Sequence, residues 1–297
     1  MRERPVLLVG AGGQVGRHVV ALLGATRPVV ALSRADLDLR DEGRIRETVR
    51  LYSPSIVINT AAYTQVDDAE HDEETCWAVN ALAPGILATE AAAAGALTID
   101  FSTNYVFGGE GESAYRESDA VRPLSAYGRS KAEGERLIAV ANHRHIVVRT
   151  HGVYDRRGRN FVRRIIELAR ERDELQVVND QFGAPTPAAL IAGSVVQILD
   201  AAARRGWSDA DYGIVHVTTS GRASWYDVAC RALALDPQRA RQRCRVVKPI
   251  SSRDFPTPAV RPLNGLLNTS RAREQFGLTL PAWDAALEDV MQGWDAQ

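Results

Sequence analysis

The sequence predicts an α/β fold: a doubly wound parallel sheet followed by a smaller C-terminal α+β region. Three observations carry this. Short apolar runs alternate with helical stretches five times in about the first 150 residues, the pattern of a parallel sheet with helices on both faces. The first run, Val6-Leu7-Leu8-Val9, is apolar throughout, as a strand covered on both sides requires. It feeds directly into the glycine-rich turn Gly10-Ala11-Gly12-Gly13-Gln14-Val15-Gly16.

Composition narrows the function classes. At 297 residues the chain has room for two domains, or for one with a large addition. Apolar residues make up 45% and charged residues 25%, ordinary values for a globular protein. A net charge of −1 gives neither nucleic acid nor an anionic membrane an electrostatic footing. No apolar run is long enough to span a bilayer. Cys76, Cys230 and Cys244 are odd in number and widely separated, which fits reduced thiols and a cytoplasmic setting better than a disulfide frame. They show no zinc-ligand spacing, and no metal is expected. Met1-Arg2-Glu3-Arg4-Pro5 leads straight into the first strand without the pattern of a signal peptide. Lys131 and Lys248 are the only lysines, against 34 arginines, so each stands out from the background.

The spacing Gly10-x-x-Gly13-x-x-Gly16 precedes an amphipathic helix over about Gln14 to Leu23. At a strand-to-helix junction such glycines let a backbone approach a pyrophosphate, and the helix N-terminus faces the anion. A dinucleotide-binding, Rossmann-like half is therefore expected, with Gly10, Gly12 and Gly13 among its cofactor contacts. The second strand, Val29 to Leu32, ends in Ser33-Arg34 rather than in the acidic residue that would hold a ribose 2′-hydroxyl. A hydroxyl and a guanidinium suit a 2′-phosphate, and no carboxylate at the strand end repels it. NADPH is the expected cofactor, with NADH as the alternative. Asp36 to Leu39 either lines an adenine pocket or starts the next helix, which runs from about Asp41 to Tyr52.

Ser55 to Asn59 forms the third strand, followed by Thr60-Ala61-Ala62-Tyr63-Thr64, small enough in part for a cofactor to pass close to the backbone. A helical region from about Glu73 to Ala94 is expected to break at Pro84 and to stop at Gly95. Thr98 to Ser102 forms the fourth strand, and Thr103 follows at its carboxyl end, where ligands collect in open parallel sheets. A polar loop leads to Ser125-Ala126-Tyr127-Gly128-Arg129-Ser130-Lys131. Tyr127 and Lys131 lie four apart, on one face of a helix. A phenol titrates near about 10, and an ammonium held beside it pulls that value toward the working range of an acid–base group. His145 to Thr150 completes the fifth unit.

The second half is less regular. Helices are expected over Asn160 to Arg172, Ala188 to Ala203, Trp225 to Leu235 and Trp283 to Trp294, with short strands at Gln176 to Val178 and Gly213 to Val217. Phe182 to Pro187 reads as a turn, and His216 as a packed strand residue. Arg156-Arg157-Gly158-Arg159 is either a solvated loop or a diphosphate clamp. Phe255 to Pro262 is proline-fixed, and its Arg261 suits a ligand wall.

A glycine-rich first turn, a Thr after the fourth strand and Tyr-x-x-x-Lys on the next helix together resemble the extended short-chain dehydrogenase/reductase superfamily. More narrowly, the chain resembles the dTDP-4-dehydrorhamnose reductase family. The matching stretches are Gly13 to Gly16, Asn59 to Glu70, Phe101 to Gly109, Tyr127 to Lys131, Arg149-Thr150 with Val153-Tyr154, Asn179 to Thr186, Phe255 to Asn264 and Phe276 to Trp283. They span nearly the whole chain, and the later ones are the more specific. The resemblance implies an NAD(P)H-dependent reduction of the C4 ketone of a dTDP-linked 6-deoxyhexose. It makes Tyr127 the proton donor, Lys131 its partner and a ligand of the nicotinamide ribose, and Thr103 the third catalytic residue. It places Gly13, Gln14 and Val15 on the pyrophosphate, Asp38 and Leu39 on the adenine, and Ala61, Ala62, Tyr63, Thr64 and Phe101 along the rest of the cofactor. Thr103, Asn104, Val106, Gly152, Asn160 and Arg261 are the expected substrate contacts. The division it implies is a cofactor domain over 1–150, with 187–218 returning to it, and a sugar-nucleotide domain over 151–186 and 219–297. A homodimer is the assembly kept in view.

Two departures stand out. Where the family usually has Asp after the catalytic Thr, this chain has Asn104, and where it usually has Ser-Trp before Val-Tyr, this chain has His151-Gly152. Asn104 loses a charge and keeps an acceptor, while Gly152 is expected to open space beside the sugar. A related 4-keto-deoxysugar, such as one bound for a secondary-metabolite glycan, is the expected substrate. The rivals are a 4,6-dehydratase or epimerase, for which Asn104-Tyr105 supplies no acid–base pair, and a non-catalytic binding subunit, against which the intact Thr103, Tyr127 and Lys131 argue.

Overall fold

The computed structural model describes residues 3–294; Met1 and Arg2, which open the stretch read as leaderless, lie outside them. Six strands form one parallel sheet: β1 (Val6–Val9), β2 (Val29–Leu32), β3 (Ile56–Asn59), β4 (Leu97–Thr103), β5 (His145–Thr150) and β8 (Gly213–His216), in the order β2-β1-β3-β4-β5-β8. The order reverses between β1 and β3, which is where such a sheet opens a crevice at its carboxyl edge.

Helices cover both faces. On one side α1 (Gln14–Gly24) and α7 (Ala188–Arg205) bury Val19, Leu23, Val195 and Ile198 against Leu8, Ile58, Ile99 and Val148 of the strands. On the other lie α2 (Glu42–Tyr52), α4 (Ala83–Ala93) and α5 (Ala126–Ala141), with Ile45, Val49, Leu87 and Ile138 turned inward. A second apolar cluster joins α6 (Phe161–Glu171), β6 (Glu174–Val178), α8 (Trp225–Leu235) and α10 (Trp283–Gln292). β7 (Phe182–Gly183) pairs antiparallel with β9 (Ala223–Ser224).

The structure corrects the sequence reading in three places. The helical region after residue 73 does not break at Pro84. Helix α3 (Glu73–Trp77) continues through a π-helical turn, Ala78–Leu82, and Pro84 follows it at the start of α4, where the altered hydrogen-bond register of that turn accommodates a residue without an N–H. The strand β10 (Val246–Ile250), not foreseen, pairs in parallel with β6, because its alternation is too short and too polar to stand out. Residues 270–280, expected in the second domain, pack instead on the first: Ala272 and Phe276 of α9 (Ser270–Phe276) and the following Leu278 belong to the sheet core.

Candidate active site

The glycine corner sits at the start of α1. Gly10 has φ +83°, and a Cβ built on Gly16 would lie 2.2 Å from the carbonyl oxygen of Gly10. Helix α1 begins after Gly13 without a side-chain cap, so its first-turn amides remain donors for an anion. This bare cradle fits a dinucleotide pyrophosphate. Gly12 has open space around its Cα, and Val15 packs beside Ala11 at the margin of the sheet core, as does Phe101.

At the carboxyl end of β4 the register pairs Thr103 with Thr150, the last residue of β5. Ser125 caps α5 by accepting a hydrogen bond from the Gly128 amide at 3.1 Å. That helix start brings Tyr127 beside Thr103, whose hydroxyl favours the phenolate. The ring of Tyr127 meets Tyr105 edge-on at 5.7 Å. The phenol is not acidified as the sequence suggested. Burial pushes it up to about 12, the Thr103 hydroxyl pulling the other way. The expected ammonium is engaged elsewhere: buried Lys131 places Nζ 3.3 Å from Asp100 Oδ2.

Asp100 is the hub of this arrangement. Its other oxygen accepts from Asn59 Nδ2 at 2.6 Å, and Asn59 Oδ1 accepts from the Ala61 amide at 3.1 Å. Burial raises the Asp100 carboxyl against the pull of Lys131. One turn further along α5, Glu135 pairs with Arg149 of β5 (Nε–Oε1 2.8 Å and Nη2–Oε2 2.6 Å) and accepts from Ser102 of β4. Both partners are buried. Two buried ionic links thus dock α5 on the sheet and fix where Tyr127 stands. Asn80, on the π-helical turn, accepts from the Tyr63 amide at 2.8 Å and donates to its carbonyl at 2.9 Å, and it also donates to Ser130 Oγ at 3.1 Å. It ties the loop of Ala61, Ala62, Tyr63 and Thr64 to the Tyr127 helix. Asn59, Asn80, Asp100, Glu135 and Arg149 escaped the sequence reading; the signal was a polar residue inside an otherwise apolar strand or helix.

Arg261 reaches the same region. Its guanidinium grips Asp67 at 3.0 and 2.7 Å and lies near the Tyr105 phenol. Asn104 is buried, its Oδ1 3.4 Å from the Thr103 hydroxyl. Other expected contacts are placed differently. The side chain of Val106 is fully buried with Phe107 and Leu267, and that of Leu39 packs in the sheet core with Leu37 and Val9, so neither side chain offers a face to a ligand. Asp38 is held by Arg40, which keeps its carboxyl down at about 2. Asn160 caps α6 and donates to Gln14 Oε1 at 3.1 Å, so these two expected ligand contacts bond each other. Arg156 is no diphosphate clamp, since it donates to the Val290 and Asp289 carbonyls at the end of α10.

The end of β2 also differs from expectation. The chain curls back so that the Asp36 carboxylate accepts from the Ser33 amide at 2.9 Å and from its hydroxyl at 2.6 Å. A carboxylate therefore stands where a 2′-phosphate would meet Ser33, with exposed Arg34 beside it. Replacing Asp36 by Ala removes that repulsion. The ratio of kcat/KM for NADPH over NADH rises by about fivefold, the effect of roughly 1 kcal/mol between exposed charges. Steady-state kinetics with both cofactors check it.

Gly152 does not open space. It adopts φ +54°, and a Cβ there would meet Pro185 Cα at 3.1 Å and Trp225 Cη2 at 3.2 Å.

The sequence profile of the RmlD substrate binding domain matches residues 3–295. A dTDP-4-dehydrorhamnose reductase of Burkholderia thailandensis is 38% identical over 286 residues, covering 95% of this chain and 96% of that one. The chain belongs to the dTDP-4-dehydrorhamnose reductase family. Solved structures agree. The family member from Clostridium acetobutylicum superposes with a TM-score of 0.89 at 33% identity, covering 97% of this chain and 98% of its own. The one from Bacillus anthracis, in complex with NADP, has a TM-score of 0.89 at 29% identity, covering 98% and 99%. Within this family frame the glycine corner, the Ala61–Thr64 loop and the Thr103–Tyr127 pair share the carboxyl edge of one sheet, while Leu39 and Val106 turn their side chains into the core.

Proposed function

We propose that the protein reduces the C4 ketone of a dTDP-linked 4-keto-6-deoxyhexose with NADPH, and that it does so in the cytoplasm. The observation that carries this reading is the placement of Tyr127 beside Thr103 at the carboxyl end of β4, on the same edge as the glycine corner. Gly10, Gly13, Gln14 and Val15 hold the pyrophosphate, and the Ala61–Thr64 loop with Phe101 flanks the nicotinamide half. When bound, the cofactor supplies the hydride that reaches C4.

The chain's own residues handle the oxygen. Thr103 holds it by a hydrogen bond, and Tyr127 gives it a proton. A phenol pushed up to about 12 is fully protonated at neutral pH, which is the state a proton donor in the reductive direction needs. Lys131, paired with Asp100 at 3.3 Å, orients the ribose. Arg261 faces the sugar-nucleotide side. The working division is a cofactor unit over 1–150 with 187–218, and a sugar-nucleotide unit over 151–186 and 219–297, less the α9 stretch that packs on the sheet. The altered residue Asn104, buried beside the Thr103 hydroxyl, supports a sugar related to 4-keto-rhamnose, not identical with it.

Incubating purified protein with NADPH and a panel of dTDP-4-keto-6-deoxysugars tests the reading. Loss of dihydronicotinamide absorbance in stoichiometry with a 4-hydroxy product is expected. Product formed without net NADPH consumption would assign the chain to the epimerase or dehydratase class, and fast turnover of dTDP-4-keto-L-rhamnose would remove the divergent-sugar part.

A further inference from the structure

The corner beyond β5 contains an aromatic residue that the reductase motifs do not account for. Because Thr103 pairs with Thr150, residues 150–152 leave the sheet beside the hydroxyl assigned to the ketone oxygen. In a hexose carbon 6 is two bonds from C4, so a ketone held at Thr103 keeps it within reach of this corner. The left-handed backbone at Gly152 disfavours a side chain of its own, and the place is crowded by Pro185, with Cα at 3.1 Å and Cβ at 3.2 Å, and by the indole of Trp225, with Cη2 at 3.2 Å.

Trp225 is held there from several sides. It is the first residue of α8, and the preceding Ser224 forms a capping box with Asp227, with hydrogen bonds of 2.8 and 3.1 Å. His151 lies 5.5 Å from the indole at an interplanar angle of 34°, and Phe161 lies 4.6 Å away at 48°. His151 is buried, and its Nδ1 has no hydrogen-bond partner among the described residues. Burial lowers its imidazole to about 4, so it packs as a neutral ring. Trp225 itself is half-buried.

We propose that Trp225 is the aromatic wall of the hexose site and the residue that selects a 6-deoxy sugar, the wall coming from α8 rather than from the loop after β5. This rests on the reductase reading above. A flat apolar face favours the C6 methyl and offers nothing to a 6-hydroxyl; differences of one small group in such pockets discriminate by about 10- to 200-fold.

The test is the affinity of the full chain for dTDP, dTDP-L-rhamnose and dTDP-L-mannose by calorimetry, the two sugars differing only in the 6-hydroxyl. For Trp225→Ala the dTDP affinity stays within about twofold, dTDP-L-rhamnose weakens by about 10-fold or more, and the rhamnose-to-mannose ratio falls toward one. Trp225→Phe, which keeps a ring, retains most of the ratio. Unchanged sugar discrimination in Trp225→Ala overturns the proposal, as does an equal loss for dTDP and dTDP-L-rhamnose, which would make Trp225 a support for α8 only. These ratios are read without cofactor. A wild-type protein that discriminates the two sugars and yet fails to turn over with NADPH would therefore strike the reductase reading alone.

Discussion

Tyr127→Phe lowers kcat for ketone reduction by roughly 10²- to 10⁴-fold, the range for loss of a positioned proton donor. The substitution keeps the ring and its edge-on contact with Tyr105, and it deletes only the hydroxyl that meets Thr103. KM for the sugar nucleotide and the affinity for NADPH stay close to wild type, because the lost interaction matters at the developing alkoxide and not in the ground state. Single-turnover measurement of NADPH oxidation separates the chemical step from binding. Near-normal turnover would refute the assignment of Tyr127 and leave the fold intact.

Arg149→Met destabilises the protein by about 3–5 kcal/mol, because it strands a buried carboxylate. Glu135 loses a bidentate partner at 2.8 and 2.6 Å, and the Ser102 hydroxyl is what remains to it. Arg149 also stacks its guanidinium 5.0 Å from the Phe107 ring, a contact that Met replaces only in part. The double variant Arg149→Met/Glu135→Leu recovers most of the loss, since an apolar pair of similar volume carries no desolvation cost. Urea unfolding followed by circular dichroism checks both variants. Equal destabilisation by the single and double substitutions would show that packing, and not charge, holds α5 on β4 and β5.

Much of the architecture was legible along the chain. The apolar runs at Val6–Val9 and His145–Thr150 are local signals, and each forms a strand of the sheet. Thr103, Tyr127 and the glycine corner were legible for the same reason: their spacing is set by one turn of helix or by the end of one strand. The failures share a cause as well. That the Leu39 and Val106 side chains turn into the core could not be read from their motifs, because the direction of a side chain off a turn depends on what packs beneath it. The acidified phenol was inferred from a four-residue spacing, and Asp100, thirty-one positions before Lys131 in sequence, claims that ammonium instead.

By itself the sequence determined the doubly wound order of elements, the glycine cradle and the Thr–Tyr–Lys set, because helix and strand periodicity and glycine's steric freedom act over a few neighbouring residues. Tertiary structure alone decided which charges are neutralised and which spaces are filled. Asp36 returns to Ser33 only once the chain has turned after β2, and Trp225 reaches Gly152 only because α8 folds back against the end of β5. Electrostatics and packing depend on distance in space, and residues 152 and 225 become neighbours only in the folded chain.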